Sequence, residues 1–178
     1  MVKVLMRKFL SSECSIFVEH QFLMKTPKQV LTEWVAAYNA RDPYILAALY
    51  REDATNIQVA LGDPLHGREV MLESFISFFQ AFPDNCTHIE NLFEDGEWAI
   101  LEWSGTGTFL GEFAGFTPTG KSYTLRGCGF FHVVDSKIQF QPGYFDKLTW
   151  FTQIGIPITS ESDRKHPGYK PPDSSVQK

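Results

Sequence analysis

The residues best suited to chemistry lie in the last third of the chain. His132 and Asp146 stand fourteen residues apart, each in a stretch where apolar and polar residues alternate. Period-two alternation puts Thr124, Arg126, Cys128, Phe130, His132 and Val134 on one face of a strand, and Ile138, Phe140, Pro142, Tyr144 and Asp146 on one face of the next. A bulge would change that parity. If these faces are the concave ones, an imidazole and a carboxylate enter a pocket lined by aromatic rings. Desolvation there raises a carboxyl pKa and a neighbouring cation lowers it, so Asp146 is a candidate general base with His132 beside it. Tyr38, Tyr50, Trp103, Phe130 and Tyr144 are candidate walls for a ligand, and Arg126 a candidate clamp.

Each of these has a plainer reading. Asp146 precedes Lys147 and a predicted C-terminal helix, a position where aspartate serves as an N-cap. His132 fits a satisfied core or surface histidine, and Arg126 a paired structural charge. Cys128 has no recognisable base to make it a nucleophile. His66 and Arg68 stand where a helix N-terminus can hold an anion, although a loop contact is the commoner outcome. His88 and Glu90 share a strand face but supply only two metal ligands, with no third at a recognisable spacing. The loop Gly111-Glu112-Phe113-Ala114-Gly115 lacks the Lys-Ser/Thr ending and the following helix of a phosphate loop.

The chain around these residues has 178 amino acids, a net charge of −5, and is 43% hydrophobic and 15% aromatic, with 16 Phe. That is one domain with enough apolar side chains to bury a core. An acidic balance without a basic cluster argues against nucleic acid as a partner. Three cysteines, Cys14, Cys86 and Cys128, are an odd number without metal-site spacing, which points to a reducing compartment. No apolar run reaches the roughly 18 residues of a membrane span. The basic and apolar start is broken by Ser11 to Ser15 and lacks a small-residue cleavage site, so a cytoplasmic protein is expected.

The elements that must position the candidates follow from periodicity. Residues 1–25 form an extension without a clean period. Thr26-Pro27 opens a helix carrying Val30, Leu31, Trp34, Val35 and Tyr38, and Asp42-Pro43 opens a shorter one carrying Ile45, Leu46, Leu49 and Tyr50. A strand is predicted over 54–61. A third helix starts at Gly67-Arg68 and carries Phe75, Phe78, Phe79 and Phe82 as a core stripe until Pro83 ends it. Strands are then predicted over 87–93, 97–109, 121–134 and 137–145. Glycines within them, Gly105, Gly107, Gly127 and Gly129, suit a strongly bent sheet. The domain runs over 26–157, and 158–178 is a polar tail. Helices followed by antiparallel strands give an α+β domain in which three N-terminal helices pack on a curved sheet and a short helix closes the chain.

The run Trp103-Ser104-Gly105-Thr106-Gly107-Thr108, the continuation Gly111-Glu112-Phe113-Ala114-Gly115 to Pro118-Thr119-Gly120-Lys121, and the later Lys137-Ile138, Tyr144-Phe145-Asp146-Lys147 and Gln153-Ile154-Gly155 resemble SnoaL-like polyketide cyclases over residues 27–157. The resemblance implies the cone-shaped nuclear-transport-factor-2-like fold, shared with ketosteroid isomerases. It also implies an acid/base aspartate on the last strand and a histidine on the preceding one, places that Asp146 and His132 match. Two departures make the implied pocket more apolar: Phe130 stands where the cyclases can place glutamine, and Gly107 where relatives often have histidine.

The implied chemistry is proton abstraction beside a carbonyl by Asp146, with His132 or a tyrosine hydroxyl stabilising the enolate, leading to aldol closure or double-bond migration without a cofactor. The second reading is a non-catalytic module that binds a small hydrophobic molecule or a protein. A third, epoxide hydration, needs an aspartate pair bridged by an arginine, and only Arg126 and Asp146 are evident. The expected partners are a small hydrophobic carbonyl compound and, through the outer sheet face, a second copy of the chain; neither nucleic acid nor membrane is expected.

Overall fold

The computed structural model describes residues 24–158. The proposed extension over 1–25 lies almost wholly outside the described residues, and the tail over 158–178 does so from 159 onward.

Helix α1, Pro27–Ala40, begins as its sequence dictates. The Thr26 hydroxyl accepts from the Gln29 backbone N–H at 3.3 Å, and the Gln29 side chain accepts from the Thr26 N–H at 2.9 Å, a reciprocal capping box ahead of a first-turn proline. The helix buries Val30, Leu31, Trp34 and Val35. Asp42 caps α2, Pro43–Ala48, by accepting from the backbone N–H groups of Tyr44 and Ile45. This helix stops two residues before Tyr50, which the helical spacing had assigned to it. Tyr50 instead opens strand β1, Tyr50–Gln58, because its backbone pairs with Ile138 and its side chain is fully buried. Tertiary pairing overrides local periodicity here.

After the two-residue strand β2, Leu65–His66, Gly67 turns the chain at φ 89° into α3, Arg68–Ala81. Phe75, Phe79 and Phe82 are buried, as the stripe predicts, and Phe78 is partly so. Four long strands follow: β3 (Cys86–Asp95), β4 (Trp98–Thr108), β5 (Ser122–Val134) and β6 (Lys137–Phe145). Helix α4, Lys147–Ile154, ends at Gly155 with φ 77°. Between β4 and β5 the chain folds back on α3, where Leu110 and Gly111 donate to the Ala81 carbonyl at 2.9 and 3.0 Å. Gly111 is required by that approach, since a Cβ there would lie 2.3 Å from the Gln80 carbonyl oxygen.

The sheet order is β2-β1-β6-β5-β4-β3, antiparallel throughout except where β1 runs parallel to β6. Two apolar clusters fill its concave side. One joins α1, α2 and most of α3 to Ala99, Leu101, Phe131, Val133 and Ile138. The other joins Phe82, Phe109, Tyr123 and Leu125 to Trp150, Phe151 and Ile154 of α4. Phe78 and Trp103 pack against both.

The inner face of β5 carries Tyr123, Leu125, Gly127, Gly129, Phe131 and Val133, so the expected inward set, from Thr124 to Val134, faces outward instead. On β6 the expected set is split. The register slips by one residue between the pairs His132/Phe140 and Val133/Ile138, and this bulge leaves Ile138 inside while Phe140, Pro142 and Tyr144 point out. Gln141, Gly143 and Phe145 take the inner places.

Candidate functional site

Asp146 does not enter the cone. It is the exposed N-cap of α4: Oδ1 accepts from the backbone N–H groups of Leu148 at 2.9 Å and Thr149 at 3.2 Å, and Oδ2 accepts from the Thr149 hydroxyl at 2.6 Å. The Thr149 hydroxyl, and then the two backbone N–H groups, hold its carboxyl below the usual carboxylate range. His132 lies on the outer face, with Nε2 3.1 Å from Glu97 Oε2 and its ring stacked 4.8 Å from Trp98. The expectation that the two share one enclosed pocket is therefore corrected.

Three other sequence candidates share that outer face. Arg126 is exposed and donates to Glu102 at 2.9 Å, and Phe130 meets Tyr144 edge-on at 6.0 Å. Arg126, Cys128, Tyr144 and Asp146 border an open depression of about 690 Å³. Cys86 on the edge strand approaches His88 at 3.8 Å, and among the described residues no three His, Cys, Asp or Glu side chains form a group able to hold a metal ion.

Tyr38, Tyr50 and Trp103 do lie on the concave side, where they join residues the sequence reading passed over. The Trp34 indole N–H donates to the Tyr50 hydroxyl at 2.8 Å. Indole nitrogen only donates, so Tyr50 accepts from Trp34 and spends its own proton on Gln141 Oε1. Gln58 Nε2 donates to Asn56 Oδ1 at 2.9 Å, and Asn56 Nδ2 donates to the same Gln141 Oε1 at 3.3 Å. Two donor chains thus converge on one carbonyl oxygen. This directionality fixes the orientation of both amides. It also polarises the Gln141 carboxamide, strengthening as a donor the Nε2 group, which makes no hydrogen bond among the described residues.

The sheet beneath this chain is floored by glycine. A Cβ at Gly143 would lie 2.2 Å from Gln58 Oε1, and one at Gly127 would lie 2.5 Å from the Trp103 ring. Burial pushes the Tyr50 phenol well above its ordinary pKa, and Tyr38 likewise, so both stay protonated. Tyr38 stacks on Trp34 at 5.1 Å and meets Phe79 edge-on at 5.4 Å. Among the described residues the buried polar side chains are Asn56, Asn85 and Gln141. The concave side therefore holds neutral donors and acceptors among aromatic rings.

Asn56 and Gln141 were legible in principle. Counting the β6 alternation backward from Phe145 rather than forward from Ile138 puts Gln141, Gly143 and Phe145 together.

A curved, mainly antiparallel sheet wrapped on helices is the ketosteroid isomerase-like architecture. Solved structures agree. A protein of that fold from Catenulispora acidiphila, solved with trimethylamine, is 20% identical, covering 83% of this chain and 100% of its own, with a TM-score of 0.64. IdmH of Streptomyces antibioticus, described as a candidate polyketide cyclase, is 24% identical over 74% of this chain and 100% of its own, with a TM-score of 0.63. TsrD of Streptomyces laurentii is 20% identical over 73% and 95% of the two chains, with a TM-score of 0.64. No curated protein sequence matches. The profile of the SnoaL-like polyketide cyclases matches residues 28–154, and the chain belongs to that family. At family level this is a small-molecule function of the cyclase or isomerase type. No helix among the described residues is long and apolar enough to cross a membrane.

Proposed function

We propose that the protein binds a small, uncharged, hydrophobic carbonyl compound inside the cone and polarises its carbonyl through Gln141 Nε2, with Tyr50 and Asn56 as the groups that strengthen this donor. The observation that carries the reading is the convergence of the Trp34–Tyr50 and Gln58–Asn56 chains on Gln141 Oε1 among the aromatic rings of the concave face. A donor aimed at a carbonyl oxygen lowers the energy of charge developing there, whether the compound then closes a ring or shifts a double bond. The same donor gives orientation and affinity to a module that only binds.

Of the readings drawn from sequence, a module that binds a small hydrophobic molecule has the most support, and carbonyl polarisation by Gln141 is added to it here. The aspartate-based enolate and epoxide mechanisms both need a carboxylate against the substrate. Asp146 instead caps a helix at the rim, with three donors already on its oxygens.

Ligand-observed NMR with aromatic ketones, 2-acetylnaphthalene among them, tests this reading together with proton–deuterium exchange at the carbon beside the carbonyl. Binding to the wild type, weakened about tenfold by Gln141→Leu as expected for loss of one hydrogen bond of ~1.4 kcal/mol, supports it. Asp146→Asn is expected to leave affinity unchanged. If the wild type exchanges the ketone proton and Asp146→Asn abolishes that exchange, the aspartate-base mechanism replaces this one.

A further inference from the structure

Among the described residues, three buried side-chain atoms are without partners at the other end of the cone. Asn85 is 1% exposed, yet neither Nδ2 nor Oδ1 of its carboxamide makes a hydrogen bond, and Nε1 of Trp150, a residue 4% exposed, makes none either. Buried polar groups are nearly always paired, because an unpaired one retains its full desolvation cost. The structure places Asn85 and Trp150 next to the same two residues, Phe82 and Tyr123. Cys86 pairs with Thr106, so Asn85 comes level with Gly107, which in turn pairs with Tyr123. Cys86 contacts exposed His88, so strand alternation turns Asn85 to the opposite, inner face.

The Tyr123 phenol crosses β4 over Gly107, where a Cβ would lie 3.0 Å from its hydroxyl oxygen. Trp150 packs against Tyr123 at 5.8 Å and Phe82 at 5.7 Å, while the Asn85 backbone N–H donates to the Phe82 carbonyl at 3.1 Å.

We propose that Asn85, Tyr123 and Trp150 form a second polar pole of the cone, which takes a neutral group presenting a hydrogen-bond donor and acceptor side by side, a carboxamide being the simplest. The inference rests on the small-molecule reading above and extends it to the ligand's far end. Asn85 Nδ2 and Trp150 Nε1 donate to the acceptor, and Asn85 Oδ1 accepts from the donor. Charge is disfavoured in either sign. The Asp84 carboxylate, fixed by the Thr108 N–H at 2.7 Å and hydroxyl at 2.6 Å, is offset by the Arg41 guanidinium, whose Nη1 donates to the Asn85 carbonyl at 3.1 Å. Burial, aided by the Asp84 charge, keeps Tyr123 a neutral phenol. With Gln141 at one pole and Asn85 at the other, the ligand carries polar groups at both ends of an apolar body, which passes Phe78 and Trp103 where the two core clusters meet.

The test compares 2-naphthamide with 2-acetylnaphthalene, near-isosteres that differ in an NH₂ and a methyl group. Dissociation constants are measured by ligand-observed NMR on the wild type, Asn85→Leu, Trp150→Phe and Gln141→Leu. The wild type is expected to favour the amide roughly tenfold, in line with one or two hydrogen bonds. Asn85→Leu brings that ratio to about one while keeping ketone affinity, Trp150→Phe reduces it, and Gln141→Leu weakens the ketone, whose carbonyl it holds, while leaving the amide at the opposite pole little changed. A ratio near one in the wild type, or an unchanged ratio in Asn85→Leu, overturns the second pole and leaves the Gln141 reading standing. Failure of both compounds to bind the wild type removes the small-molecule reading itself and this pole with it.

Ligand-free melting supplies a readout independent of the probes. Replacing an unpaired buried amide with leucine is expected to raise the melting temperature by about 2–4 °C. A fall would show that the amide is structurally paired and would count against the proposal.

Discussion

On the outer face of β5, Arg126 and His132 meet Glu102 and Glu97 at the solvent boundary; on the inner face of neighbouring β6, Gln141 hydrogen-bonds with Tyr50 and Asn56. The two faces belong to one sheet and sort their polar groups by the cost of burial. An ion taken from water costs several kcal/mol even when paired, whereas an amide costs little once its hydrogen bonds are made. Charged residues therefore collect on the outside, where their chemistry is screened, and neutral donors occupy the cone. Formal charge marks reactive residues on a sequence and is a poor guide to this interior.

The contrast is most exposed by adjacent residues. Phe131 is buried against Trp34 at 5.6 Å, and Phe130 packs on Tyr144 on the opposite face. Phe131→Ala is expected to cost about 3–5 kcal/mol in urea unfolding and Phe130→Ala about 1 kcal/mol or less. Equal costs would show that the outer face is covered in solution.

Next in size, Gln141→Leu strips both Tyr50 and Asn56 of an acceptor and should destabilise by about 1–3 kcal/mol, while Gln139→Leu, two residues earlier, changes stability little.

Smaller still is the Asp146 cap. Its carboxyl is held below the ordinary range, so it contributes stability that is present above about pH 4 and is lost as pH falls through the lowered folded value. Asp146→Asn should melt slightly below the wild type at pH 7, and the two curves should converge in acid. A difference that persists in acid would assign the effect to something other than the carboxylate.

Least of all, His132→Gln is expected to move stability by no more than about 0.5 kcal/mol, since its partner Glu97 is largely exposed. A larger loss would make the Trp98–His132–Glu97 group a structural centre on the wrong side of this comparison.

Much of the architecture was legible because the local signals agreed with the global fold. The Thr26 capping box, the Asp42 cap, the Phe stripe of α3 and the alternation of β4 to β6 each produce the element they predict. Site geometry was less legible for two definable reasons. One extra residue near Gln139 reversed the parity of β6, so every inward assignment beyond Ile138 inverted. Tyr50, read as helical, became a strand residue through a partner far away in sequence, and with it went the clue that Trp34 and Gln141 share a hydroxyl. The residues with the strongest chemical character, Asp146 and His132, drew attention to positions whose plainer roles, a helix cap and a surface ion pair, are those the structure gives them.

The parallel pairing of β1 with β6 has a temporal consequence. Tyr50 and Gln141 are 91 residues apart, and the strand that carries Gln141 is the last of the sheet to leave the ribosome. During synthesis α1 to β5 can assemble through hairpins and local packing, but β1 waits at an open edge until β6 slots in between it and β5. Loop closure over that distance is a slow, late event. The hydrogen-bonded centre of the cone is thus a record of sheet completion: no nascent or truncated chain lacking β6 possesses it, and a ligand that requires it would distinguish molecules that have placed β6 from those that have not.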